Sequence, residues 1–179
     1  MKKALKFSGI IAAVLAVVTF ILLLATPGVY AKTSGLGGDT IQNVDGVLVL
    51  FGGHRSAFGG WVETTYHASA VSLIAWILIL VAMIILLAGF ILPLLKVKAL
   101  DKFAGILNLI AVCALVTAGI LLFFSVPVFY QANKDGAIGV YNQDVYHLGA
   151  GWIIGAILSI VAGAIAILPT AMDFIGKKK

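Results

Sequence analysis

The chain has 179 residues, of which 62% are hydrophobic and 11% are charged, and its formal net charge is +5. Soluble domains carry about 25% charged residues, so this composition excludes a soluble globular protein and indicates an integral membrane protein. Basic residues in such proteins report topology first, and the positive charge is therefore not a nucleic-acid signal. The single cysteine, Cys113, excludes an intrachain disulfide.

The first predicted element is a membrane span from about Phe7 to Thr26, which follows three lysines. A signal peptide cleaved after Ala31 is the alternative reading of this region. The apolar part of a signal peptide has only about 7–15 residues, and the run here is longer. We therefore expect an uncleaved first span.

The segment 27–69 is too long for a simple connection and is predicted to hold β-structure. Asp45-Gly46 lies between Thr40–Val44 and Val47–Phe51, and this dipeptide favours the type I′ turn of a β-hairpin. The alternative for the whole segment is a glycine-rich loop without strands.

Two glycine pairs then bracket a predicted loop that holds His54 and Arg55. The run Trp61–Tyr66 is rich in β-branched and aromatic residues, which predicts a strand. Another short strand is considered over Ala137–Tyr141, from the second long connection, 127–147.

The remaining spans are predicted over about 70–95, 103–126 and 148–168. Small residues recur along two of them, and in a bilayer small residues let helices approach closely. We expect another backbone, of span 1 or span 3, to approach at Gly155. The predicted packing positions are Gly151, Gly155, Ser159 and Gly163 at intervals of four, and Ala68, Ala75, Ala82 and Gly89 at intervals of seven.

A proline stands at the C-terminal end of every predicted span. Proline cannot donate to the helical ladder, so we expect each one to end its helix. The four prolines are Pro27, Pro93, Pro127 and Pro169.

The orientation follows from the basic residues. Nine lysines fall in the segments 1–6, 96–102 and 169–179, whereas 27–69 and 127–147 hold only two lysines and one arginine. The positive-inside rule makes the first three segments cytoplasmic and the other two outer. The prediction is one all-α membrane domain, residues 1–179. It is an antiparallel four-helix transmembrane bundle in the cell membrane, with both termini cytoplasmic and a small extracellular antiparallel β-sheet.

This plan resembles the claudin-like four-transmembrane (tetraspan) superfamily. Locally, the run Tyr146–Trp152, YHLGAGW, is similar to the start of that superfamily's fourth helix. The resemblance implies four helices, cytoplasmic termini and a large first outer segment with a β-sheet. The superfamily's W-GLW-C-C signature is absent, because no cysteine pair follows Trp61. The resemblance therefore concerns the fold, and a fold alone does not carry function.

Three histidines, His54, His67 and His147, all fall in the outer segments. With Glu63 or Asp144 they are candidates for a metal site or a membrane enzyme, because zinc takes imidazole and carboxylate ligands. No close-spaced ligand pair occurs, and P-loop, HExxH and GxSxG motifs are absent from the sequence. We therefore predict no metal, no cofactor and no catalytic residue.

Three polar residues inside the spans, Asn108, Thr117 and Ser159, could line the path of a channel or transporter component. The spans contain no Asp, Glu, Lys or Arg, so ion-coupled transport has no obvious carrier. We therefore expect a non-enzymatic scaffold or accessory subunit, with the channel component and the membrane enzyme as alternatives.

Such a scaffold would act through its extracellular sheet and its helix-packing faces. Its partners would be the lipid bilayer and another membrane protein or a second copy, without nucleic acid. The predicted outer interaction surface comprises His54, Arg55, Phe58, Trp61, Glu63 and Tyr66.

Overall fold

The computed structural model describes residues 2–35, 38–57, 62–94, 104–136 and 142–176. Most of this chain is helical, and four long helices each contain a stretch of 19 or 20 residues that is apolar enough to cross a membrane. These helices indicate a multi-pass membrane protein. They are α1 (Lys2–Ala25), α3 (Ala70–Leu94), α4 (Ala104–Phe123) and α6 (Ala150–Gly176).

The four helices form an antiparallel bundle in which each packs against two others. Helix α6 lies between α1 and α4, α3 packs against α4, and a less extensive contact between α3 and α1 closes the ring. The chain crosses from one end of the bundle to the other with each helix. The C-termini of α1 and α4 and the N-termini of α3 and α6 therefore share one end, which we call the sheet end.

Small residues fill the middle of the bundle, and large aliphatic residues face outward. Fully or almost fully buried alanines include Ala12 and Ala16 on α1, Ala82 on α3 and Ala162 on α6. Isoleucine, valine and leucine side chains stand half exposed on the outside of all four helices. This distribution reverses that of a soluble bundle and is typical of helices that associate through close packing in lipid.

At the sheet end, residues 26–69 and 125–149 form what we call the cap, so far as they are described. Its main sheet is antiparallel, with strand order β2-β1-β5. The strands are β1 (Pro27–Gly35), β2 (Gly38–Asp45) and β5 (Tyr146–Leu148). Tyr30 in the central strand lies opposite Asn43 on one side and His147 on the other. The sheet thereby joins the exit of the first long helix to the start of the last.

The rest of the cap is a separate hairpin and two short helices. The hairpin pairs β3 (Gly53–Ala57) with β4 (Val62–Tyr66), and Arg55 lies opposite Thr64. Helix α2 (Gly46–Phe51) contacts α1, α3 and β1, and α5 (Ser125–Asn133) contacts α3 and β5. A 3-10 turn over Gln143–Val145 precedes β5.

The expected hairpin about Asp45-Gly46 is wrong. The strand β2 pairs with β1 upstream, and the second half of the expected hairpin is helix α2. A Cβ on Gly46 would collide with the Leu23 carbonyl oxygen, and the Gly46 N–H donates to the Thr26 carbonyl at 3.1 Å. Glycine is needed here because two backbones approach closely, and not because a turn requires positive φ.

The expected loop around His54 and Arg55 is also wrong, because both residues lie within β3. The strand expected over Trp61–Tyr66 is present from Val62. Trp61, Phe58 and the considered strand over 137–141 lie outside the described residues.

The prolines do not all end their helices. Helix α1 ends at Ala25, just before Pro27, as expected. Helix α6, however, continues through Pro169 to Gly176, and α3 extends one residue beyond Pro93. Proline removes only one backbone donor, and transmembrane helices tolerate that loss when neighbouring groups compensate. Helix α4 ends at Phe123, before Pro127. Pro127 lies in the first turn of α5, where backbone N–H groups have no partner within the helix, so the proline costs no helical hydrogen bond.

Candidate functional site

The small-residue positions of α6 face two different helices. A Cβ on Gly151 would collide with the Thr26 side chain, and one on Gly155 would meet Leu23 of α1 at 3.5 Å. Ser159 donates from Oγ to the Leu115 carbonyl of α4 at 2.8 Å, and a Cβ on Gly163 would lie 2.8 Å from Val116. Steps of four residues advance by about 40° around a 3.6-residue helix, so the row turns from α1 toward α4.

At Gly155 itself, the three atoms nearest to an added Cβ all belong to side chains at ordinary contact distance, so the expected close backbone approach is not found there. The tight backbone approach occurs at Gly119 of α4, where a Cβ would lie 2.7 Å from the Ala156 carbonyl oxygen. Sequence reasoning missed Gly119, because it stands alone rather than in a repeat. The signal available in the sequence was a glycine within an apolar span.

The seven-residue row of α3 is less uniform. Ala75 and Ala82 are fully buried in the bundle. Ala68 precedes the helix and is partly buried, while Gly89 is exposed, with Asn108 Oδ1 3.8 Å from where its Cβ would be. The row therefore packs inside the bundle only in its middle.

A buried tryptophan joins the last helix to the end of the first. Trp152 is fully buried, and its Nε1–H donates to the Leu23 carbonyl at 3.1 Å. Leu23 is in the last turn of α1, where carbonyls lack helical N–H partners. Gly28 makes room for the indole, since a Cβ there would lie 2.9 Å from the ring. From the sequence, Trp152 was recognised only as an aromatic residue near the start of the fourth helix.

An asparagine holds the second joint. Asn133, only 2% exposed, ends α5. Its Oδ1 accepts the His67 N–H at 2.6 Å, and its Nδ2 donates to the His67 carbonyl at 2.9 Å. One side chain thus satisfies both backbone groups of the residue that leads into α3. A third joint is the Ser69 N–H, which donates to the Val49 carbonyl of α2 at 2.8 Å.

The polar residues of the spans do not line a common path. Asn108 and Thr117 are nine positions apart on α4, which at 100° per residue places them on opposite faces. Thr117 is exposed beside an apolar surface depression formed with residues such as Leu78 and Cys113. Two buried hydroxyls of the bundle bond to backbone carbonyls, Ser159 as above and Thr19 to the Leu15 carbonyl at 2.9 Å.

The three histidines lie on different elements of the cap. His54 Nδ1 is 3.0 Å from Thr65 Oγ1 across the β3–β4 hairpin, and the His147 ring lies against Tyr30 with centroids 5.2 Å apart. His67 is exposed and held through its backbone by Asn133. Within the described ranges, no group of three or more His, Cys, Asp or Glu side chains could hold a metal ion.

The described part of the predicted outer surface is the β3–β4 hairpin. His54, Arg55 and Glu63 are exposed on it, while Tyr66 is partly buried and stacks on Phe129 with centroids 6.2 Å apart. Burial raises the pKa of the Tyr66 hydroxyl; nearby Arg55 partly opposes this shift. Arg55 Nη1 donates to the Asn43 carbonyl, which ties the hairpin to the edge of the main sheet.

Comparison of the chain with protein-family models and with curated proteins finds no match.

Proposed function

We propose that the chain is a non-enzymatic scaffold or accessory subunit of the cell membrane, with the cap outside the cell and both termini in the cytoplasm. The observation that carries this proposal is the attachment of the cap. Three hydrogen-bonded joints lie at this end of the bundle: Trp152 of α6 donates to the last turn of α1, and Asn133 and the Val49 carbonyl hold the backbone of the two cap residues, His67 and Ser69, that lead into α3. Such joints suit a protein that presents a surface in a defined orientation.

The use of polar groups inside the bundle supports the same proposal. The hydroxyls of Thr19, Ser159 and Thr170 are all buried and all donate to backbone carbonyls. They stabilise helices and helix pairs, which favours a structural role over a conduit with polar walls. The order of elements, with four of the five described strands in the first outer segment, supports placing the chain with the claudin-like plan.

The exposed surface of the cap would receive the partner, another membrane protein or a second copy. Strand β2 is a sheet edge with every residue but Val44 exposed, and Ile41 on it is 59% exposed. An unpaired edge can add a strand from another chain. The hairpin with His54, Arg55 and Glu63 lies beside this edge, because Arg55 reaches Asn43.

Photo-crosslinking in native membranes tests the proposal. A photoreactive residue at Ile41 should capture one defined partner or a second copy. The same residue at Ile84, which is 56% exposed midway along α3, should capture mainly lipid. If the Ile41 position yields only the monomer, the scaffold proposal fails.

Cysteine labelling tests the orientation separately. In a Cys113→Ser background, Thr40→Cys should react with a membrane-impermeant maleimide in intact cells. Lys3→Cys should react only after the membrane is opened. The opposite pattern would place the cap in the cytoplasm.

A further inference from the structure

A mixed polar and apolar pocket lies where the cap meets the end of α1. Its volume is about 460 Å³, within the range of roughly 300–1,000 Å³ that is usual for ligand sites. The end of α1 (24–26), together with Val47 and Leu48 of α2, forms the apolar side. Asp45, His54 and Arg55 form the polar side.

Two hydrogen bonds to main-chain carbonyls hold these walls in place. The Gly46 N–H donates to the Thr26 carbonyl, which fixes the start of α2 on the end of α1. Arg55 Nη1 donates to the Asn43 carbonyl, which holds β3 beside β2. The polar and apolar walls thus converge through main-chain attachments at Gly46 and Asn43.

The pocket carries one fixed positive and one negative group. A guanidinium has five N–H donors, so Arg55 keeps donors beyond the one that Asn43 accepts. Asp45 caps α2 by position, but its carboxylate makes no capping bond. Both side chains are exposed and described, and they form no ion pair with each other. Both charges are therefore available to a ligand with a phosphate and an ammonium group.

Below the pocket, an apolar row runs the length of α1. Phe7, Ile11, Val14, Val18 and Ile21 are all exposed, and their spacing of four and three leads to Ala25 in the pocket wall. Ile21 is 54% exposed one turn below the pocket. In a bilayer this row lies among acyl chains, and the end of an apolar span lies at headgroup depth.

We propose that this pocket binds one phospholipid with a primary-amine headgroup, of the phosphatidylethanolamine type. Arg55 binds the phosphate, Asp45 binds the ammonium, and an acyl chain follows the α1 row. Guanidinium and phosphate form charge-assisted bonds, and a primary ammonium donates hydrogen bonds that a quaternary ammonium cannot. The inference rests on the proposed membrane placement but does not require a protein partner.

Native mass spectrometry of the detergent-purified full chain tests this site. Dioleoyl phosphatidylethanolamine, phosphatidylcholine and phosphatidylglycerol would be added at equal concentration, with inorganic phosphate as a soluble competitor. The ethanolamine lipid should give the most abundant retained adduct. Arg55→Gln should lower that adduct roughly tenfold, since it removes a charge-assisted contact. Asp45→Asn should abolish the preference for the ethanolamine lipid over the glycerol lipid.

Two matched variants control for loss of charge alone. Lys134→Gln and Asp144→Asn remove the same charges from exposed cap positions outside the pocket, and both should bind like the wild type. Circular dichroism and thermal unfolding would show that each variant is folded. Asp45→Asn should fold normally, because no hydrogen bond from that side chain caps α2.

The proposal is overturned if Arg55→Gln and Asp45→Asn, both folded, retain the wild-type adducts. It is also overturned if the controls lose lipid equally, or if inorganic phosphate displaces the lipid and binds alone. Failure of the scaffold role has a different signature. In that case crosslinking at Ile41 yields no partner while the ethanolamine-lipid adduct and its sensitivity to Arg55 remain.

Discussion

The two grooves beside α1 are closed in different ways. On the α6 side, Gly151 and Gly155 face Thr26 and Leu23 without side chains of their own. The Thr19 hydroxyl there lies 3.5 Å from the Gly155 carbonyl. Missing side chains let the two helices come close enough for a side-chain oxygen of one to approach the main chain of the other.

On the α3 side, aromatic rings fill the groove. Phe20 of α1 stacks on Trp76 of α3 with centroids 5.0 Å apart, and Phe51 of α2 meets the same indole edge-on at 5.3 Å. The rings hold α1 and α3 apart at the sheet end, and α2 contacts both helices there. Residue size thus distinguishes the two grooves: glycines leave a close seam between α1 and α6, whereas aromatic rings and helix α2 occupy the groove between α1 and α3.

The largest expected effect comes from the narrow side, at Gly149. Its N–H donates to the Gly28 carbonyl at 2.9 Å, and a Cβ there would collide with the Pro27 carbonyl oxygen. A backbone neighbour cannot rotate away, so Gly149→Ala should cost about 3 kcal/mol, at the upper end of overpacking. Thermal unfolding in detergent would measure it. A melting temperature equal to that of the wild type would mean that α6 and β1 are farther apart.

The two buried indole N–H groups offer the next comparison. Trp152→Phe leaves the Leu23 carbonyl without its donor and should cost about 1–3 kcal/mol. Trp76 Nε1 is buried, and no partner for it exists among the described residues. Trp76→Phe therefore loses no hydrogen bond and should cost clearly less. Chemical unfolding of both variants would compare them, and an equal loss would contradict a special role for the Trp152 joint.

A smaller effect, of opposite sign, is expected at Gly155. A Cβ there meets Leu23 and Thr19 at 3.5 and 3.6 Å, which is ordinary contact. Alanine is about 1 kcal/mol better than glycine inside a helix, so Gly155→Ala should be neutral or slightly stabilising. Gly155→Ile, by contrast, should be destabilising, because the larger side chain would meet Leu23. If Gly155→Ala unfolds as readily as Gly149→Ala, the α1–α6 seam is tighter at Gly155 than the contacts indicate.

The smallest effect concerns the cap, away from both grooves. Lys32 and Asp39 form an exposed ion pair at 2.6 Å, and its hydrogen bond lowers the pKa of Asp39 and raises that of Lys32. The stabilisation from Asp39 is present above its unfolded pKa and is lost as the pH falls. Asp39→Asn should therefore slightly lower the melting temperature at pH 7 and have no effect near pH 2. A difference that persists in acid would assign the effect to something other than charge.

The long helices followed from the sequence because hydropathy and length are local properties. Four helices long and apolar enough to cross a membrane are present, and α6 continues through Pro169, where the fourth helix was expected to end. The strand at Val62–Tyr66 was also readable, from its β-branched residues. Each of these elements carries its signal in its own residues.

The strands β1 and β5 were not predicted, because their stability depends on distant partners. Val29 pairs with Leu148, which lies far away in the sequence. The residues of Pro27–Gly35 show no clear alternation of polar and apolar side chains that would predict a strand. Asp45-Gly46 carried the local signal of a turn, but its close contact with α1 decided the structure. The joints at Asn133 and Trp152 could not be predicted either, because a hydrogen bond between distant elements produces no recognisable residue spacing in the sequence.

The pairing of β1 with β5 bears on how the protein is made. Synthesis proceeds from the N-terminus, so β1 and β2 leave the ribosome long before β5. Until then, one edge of β1 lacks its neighbour and the Leu23 carbonyl lacks the Trp152 donor. The cap is therefore completed only when α6 begins to enter the bundle. A chain that stalls after α4 would display an open strand edge to any quality-control factor that recognises unpaired backbone, and a finished chain would conceal it.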